Sequence, residues 1–210
     1  MATTKGQRIG IWSIAILMIV GSIGSFAIIV LANMNNKSDT TRMNELMAQY
    51  QADVNAQTKD LSQKYYGIFS PFQSRVAPFD SVGVAELASE DLVTGDGNTI
   101  TANSSYSAYY IGWGPDGKIF DSSIEDGALK APLEVTPGGV IEGWTKGTEG
   151  MKVNGIREIT IPSDLAYGER GSGSSIPPNT PLKFVVMIIP TPEPVEVPAE
   201  LLKYYRTGGN

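Results

Sequence analysis

The chain has 210 residues, with 16 Lys and Arg against 22 Asp and Glu and a formal net charge of −6, and nowhere do the basic residues cluster. Nucleic acid is therefore not expected as a partner, because neutralising phosphates takes grouped Lys and Arg. There is no Cys and no His, which excludes disulfides, thiolate nucleophiles, imidazole bases, Ser-His-Asp triads and the usual zinc sites; any catalysis must rest on carboxylates, hydroxyls, backbone amides or a shaped apolar pocket.

Residues 1–8 form a short stub carrying Lys5 and Arg8. Residues 9–31 then run without a charge and are dominated by Ile, Val, Leu, Met and Phe. Crossing a hydrocarbon core takes about 20 helical residues, so residues 9–32 are read as a transmembrane anchor. The two basic residues before it favour a cytoplasmic N-terminus, with the rest of the chain on the extracytoplasmic side of a cell membrane. The alternative is a secreted protein cleaved near Ala32; the apolar run is long for that, since a signal-peptide core spans about 7–15 residues.

Residues 33–66 lack Pro and Gly and place Met43, Met47, Tyr50, Val54, Leu61 and Tyr65 at helical spacing, with Gln57 interrupting the stripe. Residues 33–70 are accordingly predicted as a helical stalk, a spacer whose stripe also offers a seam for a homodimer. Residues 71–83, with Pro71 and Pro78, read as a linker. From Val84 the character changes. Short β-rich runs at 107–113, 157–161 and 182–189 are separated by Gly, Pro, Asp and Ser clusters, as in an antiparallel sheet. One segment, 140–146, has helical character, with Gly147 as its stop. Residues 192–210 form a Pro-rich tail with one or two helical turns near 199–206.

Three local patterns carry little chemistry. Gly171-Ser172-Gly173-Ser174-Ser175 lacks the Lys of a phosphate-binding loop and is read as surface. Asp91, Asp96 and Asn98 lack the Glu that closes a calcium loop. Glu125 and Asp126 are read as a solvated loop rather than a catalytic carboxylate pair. The stronger signal is distributed: Tyr110, Phe120, Val140, Ile141, Trp144, Tyr167, Ile176 and Phe184 are large apolar residues next to turn residues, and Trp144 lies on the one predicted helix of the domain. A domain of this size needs a core whatever its function, so some of them serve that need alone.

The run Val140-Ile141-Glu142-Gly143-Trp144-Thr145-Lys146-Gly147, followed by Gly150-Met151-Lys152-Val153-Asn154-Gly155, resembles a signature of the FKBP-type peptidyl-prolyl cis-trans isomerases. Leu165-Ala166-Tyr167-Gly168-Glu169-Arg170-Gly171 with Ile176-Pro177-Pro178-Asn179 resembles a second, and Gly117-Lys118-Ile119-Phe120-Asp121-Ser122-Ser123 a third. The likeness spans residues 84–190. It implies an α+β domain at residues 84–191: an antiparallel β-sheet of five or six strands, a half-barrel, wrapped around one short α-helix. It further implies rotation of X-Pro bonds without any cofactor or metal, with proline-containing polypeptides as clients and macrolides of the tacrolimus/rapamycin type as inhibitors. The catalytic set carried over is Tyr110, Phe120, Asp121, Ile141, Trp144 and Tyr167, with Val140, Leu133, Ile176 and Phe184 binding substrate. The resemblance implies that Trp144 is the platform under the proline ring and that the Ile141 N–H and the Tyr167 hydroxyl hold carbonyls. The chain departs from the pattern in a shortened stretch before Val140, in Leu133 standing where an aromatic is usual, and in Ser172 and Ser175 replacing apolar residues. These departures bear on substrate preference and macrolide affinity. A folding catalyst for exported proteins follows from the anchor and the domain together; the rival expectation is a non-catalytic proline-binding chaperone or adaptor on a membrane stalk.

Overall fold

The computed structural model describes residues 37–207. The segment read as a membrane anchor lies outside them, and among the described residues no helix is long and apolar enough to cross a membrane. The chain divides into two compact units, Asp60–Pro192 and the described parts of Met1–Lys59 with Glu193–Asn210.

The larger unit is built on a six-stranded antiparallel sheet. Its strands are β1 (Ala88–Val93), β2 (Tyr106–Trp113), β3 (Ile119–Ser122), β6 (Leu133–Val135), β7 (Ile156–Ile161) and β8 (Leu182–Ile189), in the order β1-β7-β8-β2-β3, with β6 also paired to β2. A two-residue hairpin joins β4 (Ile124–Glu125) to β5 (Ala128–Leu129) through Asp126 and Gly127. Both turn residues take positive φ, 48° and 76°, the pairing that Asp-Gly favours in tight hairpins. Glu125 and Asp126 are exposed there. The antiparallel sheet and single short helix expected for residues 84–191 are present.

Both faces of the central strands β2, β7 and β8 are buried, and alternation along the strands sorts the side chains between them. Tyr106, Ala108, Tyr110, Ile159, Ile161, Leu182, Phe184, Val186 and Ile188 face the short helix α2 (Glu142–Thr148), which follows the long helix α1 (Lys37–Phe69) in the chain. Tyr109, Ile111, Trp113, Val185, Met187 and Ile189 point the other way. That outer face is covered by Tyr65 and Phe69 from the end of α1, with Leu61, Tyr66, Phe72, Val76 and Phe79 around them.

The linker expected at residues 71–83 is thus part of the domain. The 3-10 turn Ser70–Arg75 carries Arg75, whose guanidinium pairs with Glu158 at 2.6 Å and Glu90 at 2.7 Å. Glu158 is buried and also takes Lys183 at 2.9 Å. The Trp113 indole N–H donates to the Ala77 carbonyl at 3.1 Å, and the Phe79 N–H to Pro115 at 3.0 Å. The compact unit starts at Asp60, well before Val84, because the apolar outer face needs a cover.

Helix α2 also differs at its end from the sequence reading. Gly147 does not stop it: a Cβ there would lie 2.4 Å from Ile159 Cγ2, and one at Gly143 2.2 Å from Ile161 Cγ2. These glycines sit one turn apart and let the helix approach β7 closely. Arg157 on β7 closes the helix, donating to the carbonyls of Gly147 at 2.9 Å and Glu149 at 3.1 Å, while Asp91 holds its other edge at 2.6 Å.

In the smaller unit, the first part of α1 and helix α3 (Ala199–Thr207) are joined by the two-toothed ion pair of Arg42 with Glu200, at 2.7 and 2.6 Å, and Leu201 is buried. Gln57 donates to the Glu193 carbonyl at 2.7 Å.

Candidate active site

The ring floor lies where α2 crosses the inner face of the sheet. Trp144, only 3 % exposed, meets Phe184 of β8 edge-on at 5.2 Å and Tyr110 of β2 at 5.6 Å, with interplanar angles of 78° and 84°. Phe120 of β3 meets Phe184 at 5.5 Å and 83°. Edge-to-face contacts of this kind align the positive rim of one ring with the negative face of the next. The floor depends on Gly112, next to the end of β2, where a Cβ would lie 2.7 Å from both Phe120 Cζ and Phe184 Cε1.

Around this floor stand Leu133 of β6, Val140 and Ile141 before α2, and Tyr167 after β7, each partly buried against the same cluster, with Ile176 buried in it. Ile141 is the N-cap of α2: its extended backbone (φ −62°, ψ 152°) turns its carbonyl to accept the Trp144 and Thr145 amides at 3.1 and 3.2 Å. Its own N–H makes no hydrogen bond among the described residues, nor does the Tyr167 hydroxyl. Ile176 is held by a small loop in which Ser172 and Ile176 exchange backbone bonds of 2.8 and 3.1 Å. Gly171, at φ 62°, passes so close beneath it that a Cβ would lie 2.2 Å from the Ile176 carbonyl oxygen.

The polar edge is Asp121. It accepts hydrogen bonds from the Tyr110 hydroxyl and from the Ser122 N–H, the latter at 2.8 Å, with Lys130 Nζ at 3.8 Å. Burial first, and then the bond to Asp121, raises the Tyr110 phenol far above the ordinary range. Burial, then the charge of Asp121, also raises Tyr167. Both phenols are held neutral as hydrogen-bond donors.

All ten residues singled out in the sequence are therefore brought to one place: nine in a single apolar cluster and Asp121 at its edge. Four others escaped that reading. Gly112 has the signal of a glycine inside a strand, which marks close approach. Ser123 accepts the Tyr110 N–H at 2.9 Å and fixes β2 against the turn after β3. Tyr106 and Thr148 touch Trp144 from behind, and no local pattern in the sequence announces them.

An antiparallel sheet wrapped on one short helix, with an aromatic floor between them, defines the architecture in which the site sits. Residues 97–189 match the family model described as FKBP-type peptidyl-prolyl cis-trans isomerase. Over 108 residues the chain is 40 % identical to the FK506-binding protein of Neisseria meningitidis serogroup A, covering 50 % of this chain and 96 % of that protein. It is 40 % identical over 107 residues to the FK506-binding protein of Streptomyces anulatus, covering 50 % of this chain and 86 % of that one. With the probable FKBP-type peptidyl-prolyl cis-trans isomerase of Haemophilus influenzae it shares 42 % over 95 residues, 45 % of this chain and 38 % of that protein. The chain belongs to the FKBP-type peptidyl-prolyl cis-trans isomerases.

Proposed function

We propose that this isomerase acts on X-Pro bonds laid over the Trp144 ring, in segments of exported or membrane-proximal polypeptides. The observation that carries the reading is the pairing of a ring floor with two unused donors at its rim, the Ile141 N–H and the Tyr167 hydroxyl. A planar amide is charge-separated and well hydrated, and its rotation faces a barrier of about 18–20 kcal/mol. Enclosure by Tyr110, Phe120, Trp144 and Phe184 strips water from that planar form and so penalises it more than the twisted one. The rim donors hold the flanking carbonyls while the bond turns, and a cavity shaped to the twisted geometry adds binding that only the transition state receives. Val140, Leu133 and Ile176 wall the floor, and Asp121 fixes Tyr110 at its polar edge.

The test is cis-to-trans isomerisation of a short X-Pro peptide by the full chain in mild detergent, beside Trp144→Ala. The variant is expected to lose at least about tenfold in kcat/KM, the order lost when one positioned transition-state contact goes. A folded Trp144→Ala protein with the parent's rate would put the site elsewhere. A macrolide of the tacrolimus/rapamycin type would occupy the same floor and compete with the peptide.

The place of action is part of the same reading. Residues 9–32 are long and apolar enough to anchor the chain, and Lys5 and Arg8 favour an N-terminus inside. The domain would then meet newly exported chains, whose slow proline steps take tens of seconds unaided. Protease added to intact cells should digest the domain but not an N-terminal tag; the reverse pattern rejects this topology.

A further inference from the structure

Behind the ring floor three polar groups are buried together. The indole N–H of Trp144 donates to the Tyr106 hydroxyl at 2.9 Å. The Tyr106 hydroxyl lies 2.9 Å from Thr148 Oγ1, and Thr148 donates to the Trp144 carbonyl at 3.0 Å. Tyr106 is 6 %, Trp144 3 % and Thr148 1 % exposed. The direction of each bond follows from the groups themselves. An indole N–H can only donate and a carbonyl can only accept. The phenol must therefore accept from the indole and pass its own hydrogen to Thr148, whose hydroxyl faces the carbonyl of Trp144, where the chain of bonds began, and more distantly that of Thr145 at 3.3 Å. The ring closes on Trp144.

We infer that Tyr106 and Thr148 are positioning residues for isomerisation, fixing the plane of the Trp144 indole from behind so that the platform keeps one orientation under the twisting amide. The inference rests on the reading of Trp144 as the platform. Contacts with Tyr110 and Phe184 hold the indole by its faces and edges, but such contacts tolerate rocking; a directed N–H bond to a buried phenol does not. The phenol is in turn held on the far side. Its ring lies on β2 two turns of the pleat before Tyr110, so the strand that supplies the pocket wall also supplies the anchor of the floor. The neutral state of the phenol, favoured by its burial, preserves the hydrogen it must give to Thr148.

Tyr106→Phe removes one oxygen and keeps the ring, and Thr148→Val removes the next link while keeping the shape; Thr148→Ser keeps the hydroxyl. The full chain, labelled with 15N at Trp and held in detergent, has three indole N–H groups, and that of Trp144 is the one absent from Trp144→Phe. In Tyr106→Phe and Thr148→Val its resonance is expected to shift and to exchange faster with solvent. The apolar contact with proline survives, so KM should stay within about twofold while kcat falls about fivefold, the cost of a misplaced group rather than a lost one. Thr148→Ser should keep parental kcat and resonance. If Tyr106→Phe unfolds, the two Thr148 variants decide alone. Parental kcat in Tyr106→Phe or Thr148→Val, with Trp144→Phe slow, overturns the positioning role and leaves the platform standing. Parental kcat in Trp144→Phe removes the platform and the positioning role with it.

Discussion

At Gly112 the difference between glycine and alanine is one methyl group aimed at the contact of Phe120 with Phe184, 2.7 Å from each ring. Such residues explain which parts of the site could be read in advance. Seven of the ten pocket residues sit in recognisable strings, and Tyr110 and Phe184 stand out as large rings beside turn residues, so the sequence names them. Gly112 acts by what it lacks, and Tyr106 acts through partners 38 and 42 positions away; a strand aromatic looks the same whether it fills space or accepts a bond. The residue scale also predicts the response to pH. The chain has no His or Cys, and burial raises the phenols of Tyr106, Tyr110 and Tyr167 above 10.0 and pushes Tyr109 up to about 12. Isomerase activity is therefore expected to stay flat between about pH 6 and 9. For stability the sign follows from proton uptake. The folded state keeps its phenol protons to higher pH than the unfolded chain, so this contribution is complete below about pH 10 and is lost as pH rises through the folded values. Urea midpoints should hold level to about pH 9 and fall steeply above 10; a midpoint unchanged at about pH 11.5 would contradict the assignment.

Among the elements, α2 shows most directly how packing overrules propensity. Replacing a helical Gly with Ala gains up to about 1 kcal/mol where space allows. At Gly147 the added carbon would sit 2.4 Å from Ile159 Cγ2 and 2.9 Å from its Cδ1, and overpacking of that kind costs about 1–3 kcal/mol. Gly147→Ala should lower the urea midpoint despite its better helix propensity, and a raised midpoint would mean that the helix can step back from β7. The same contact explains why the sequence placed the helix end wrongly: Gly147 has the composition of a stop and the environment of a packing site. The start was displaced as well, because Ile141 is the cap rather than an interior residue. The strands were easier to recognise. The segment Leu182–Ile189, apolar on nearly every residue and bounded by turn residues, reads as a strand, and the structure buries it on both faces. What that pattern could not reveal was the identity of the second cover, since the residues supplying it lie more than a hundred positions earlier and read as a separate stalk.

For the whole molecule, that cover sets the boundary of the catalytic unit. Phe69, Tyr109, Ile111 and Trp113 are each at most 1 % exposed, and burying a large apolar side chain contributes about 1.5–3 kcal/mol. Starting the protein at Asp60 keeps this layer, whereas starting it at Val84 removes Tyr65, Phe69 and Arg75 and bares an apolar sheet face. The shorter piece is expected to unfold at markedly lower urea and to self-associate in light scattering, while the longer one stays monodisperse; equal stability of the two would deny the layer its role. The strand order carries a consequence of another kind. β8 is the last strand to be made, yet it lies between β7 and β2 and is bonded to both along their length. On the ribosome, every earlier strand waits for it. A chain stalled before Leu182 holds two separate sheet fragments with open edges, the condition most exposed to wrong pairing. The sheet thus closes only once Leu182–Ile189 has been made, and a truncation that spares every pocket residue before Phe184 would still yield no single sheet to hold them.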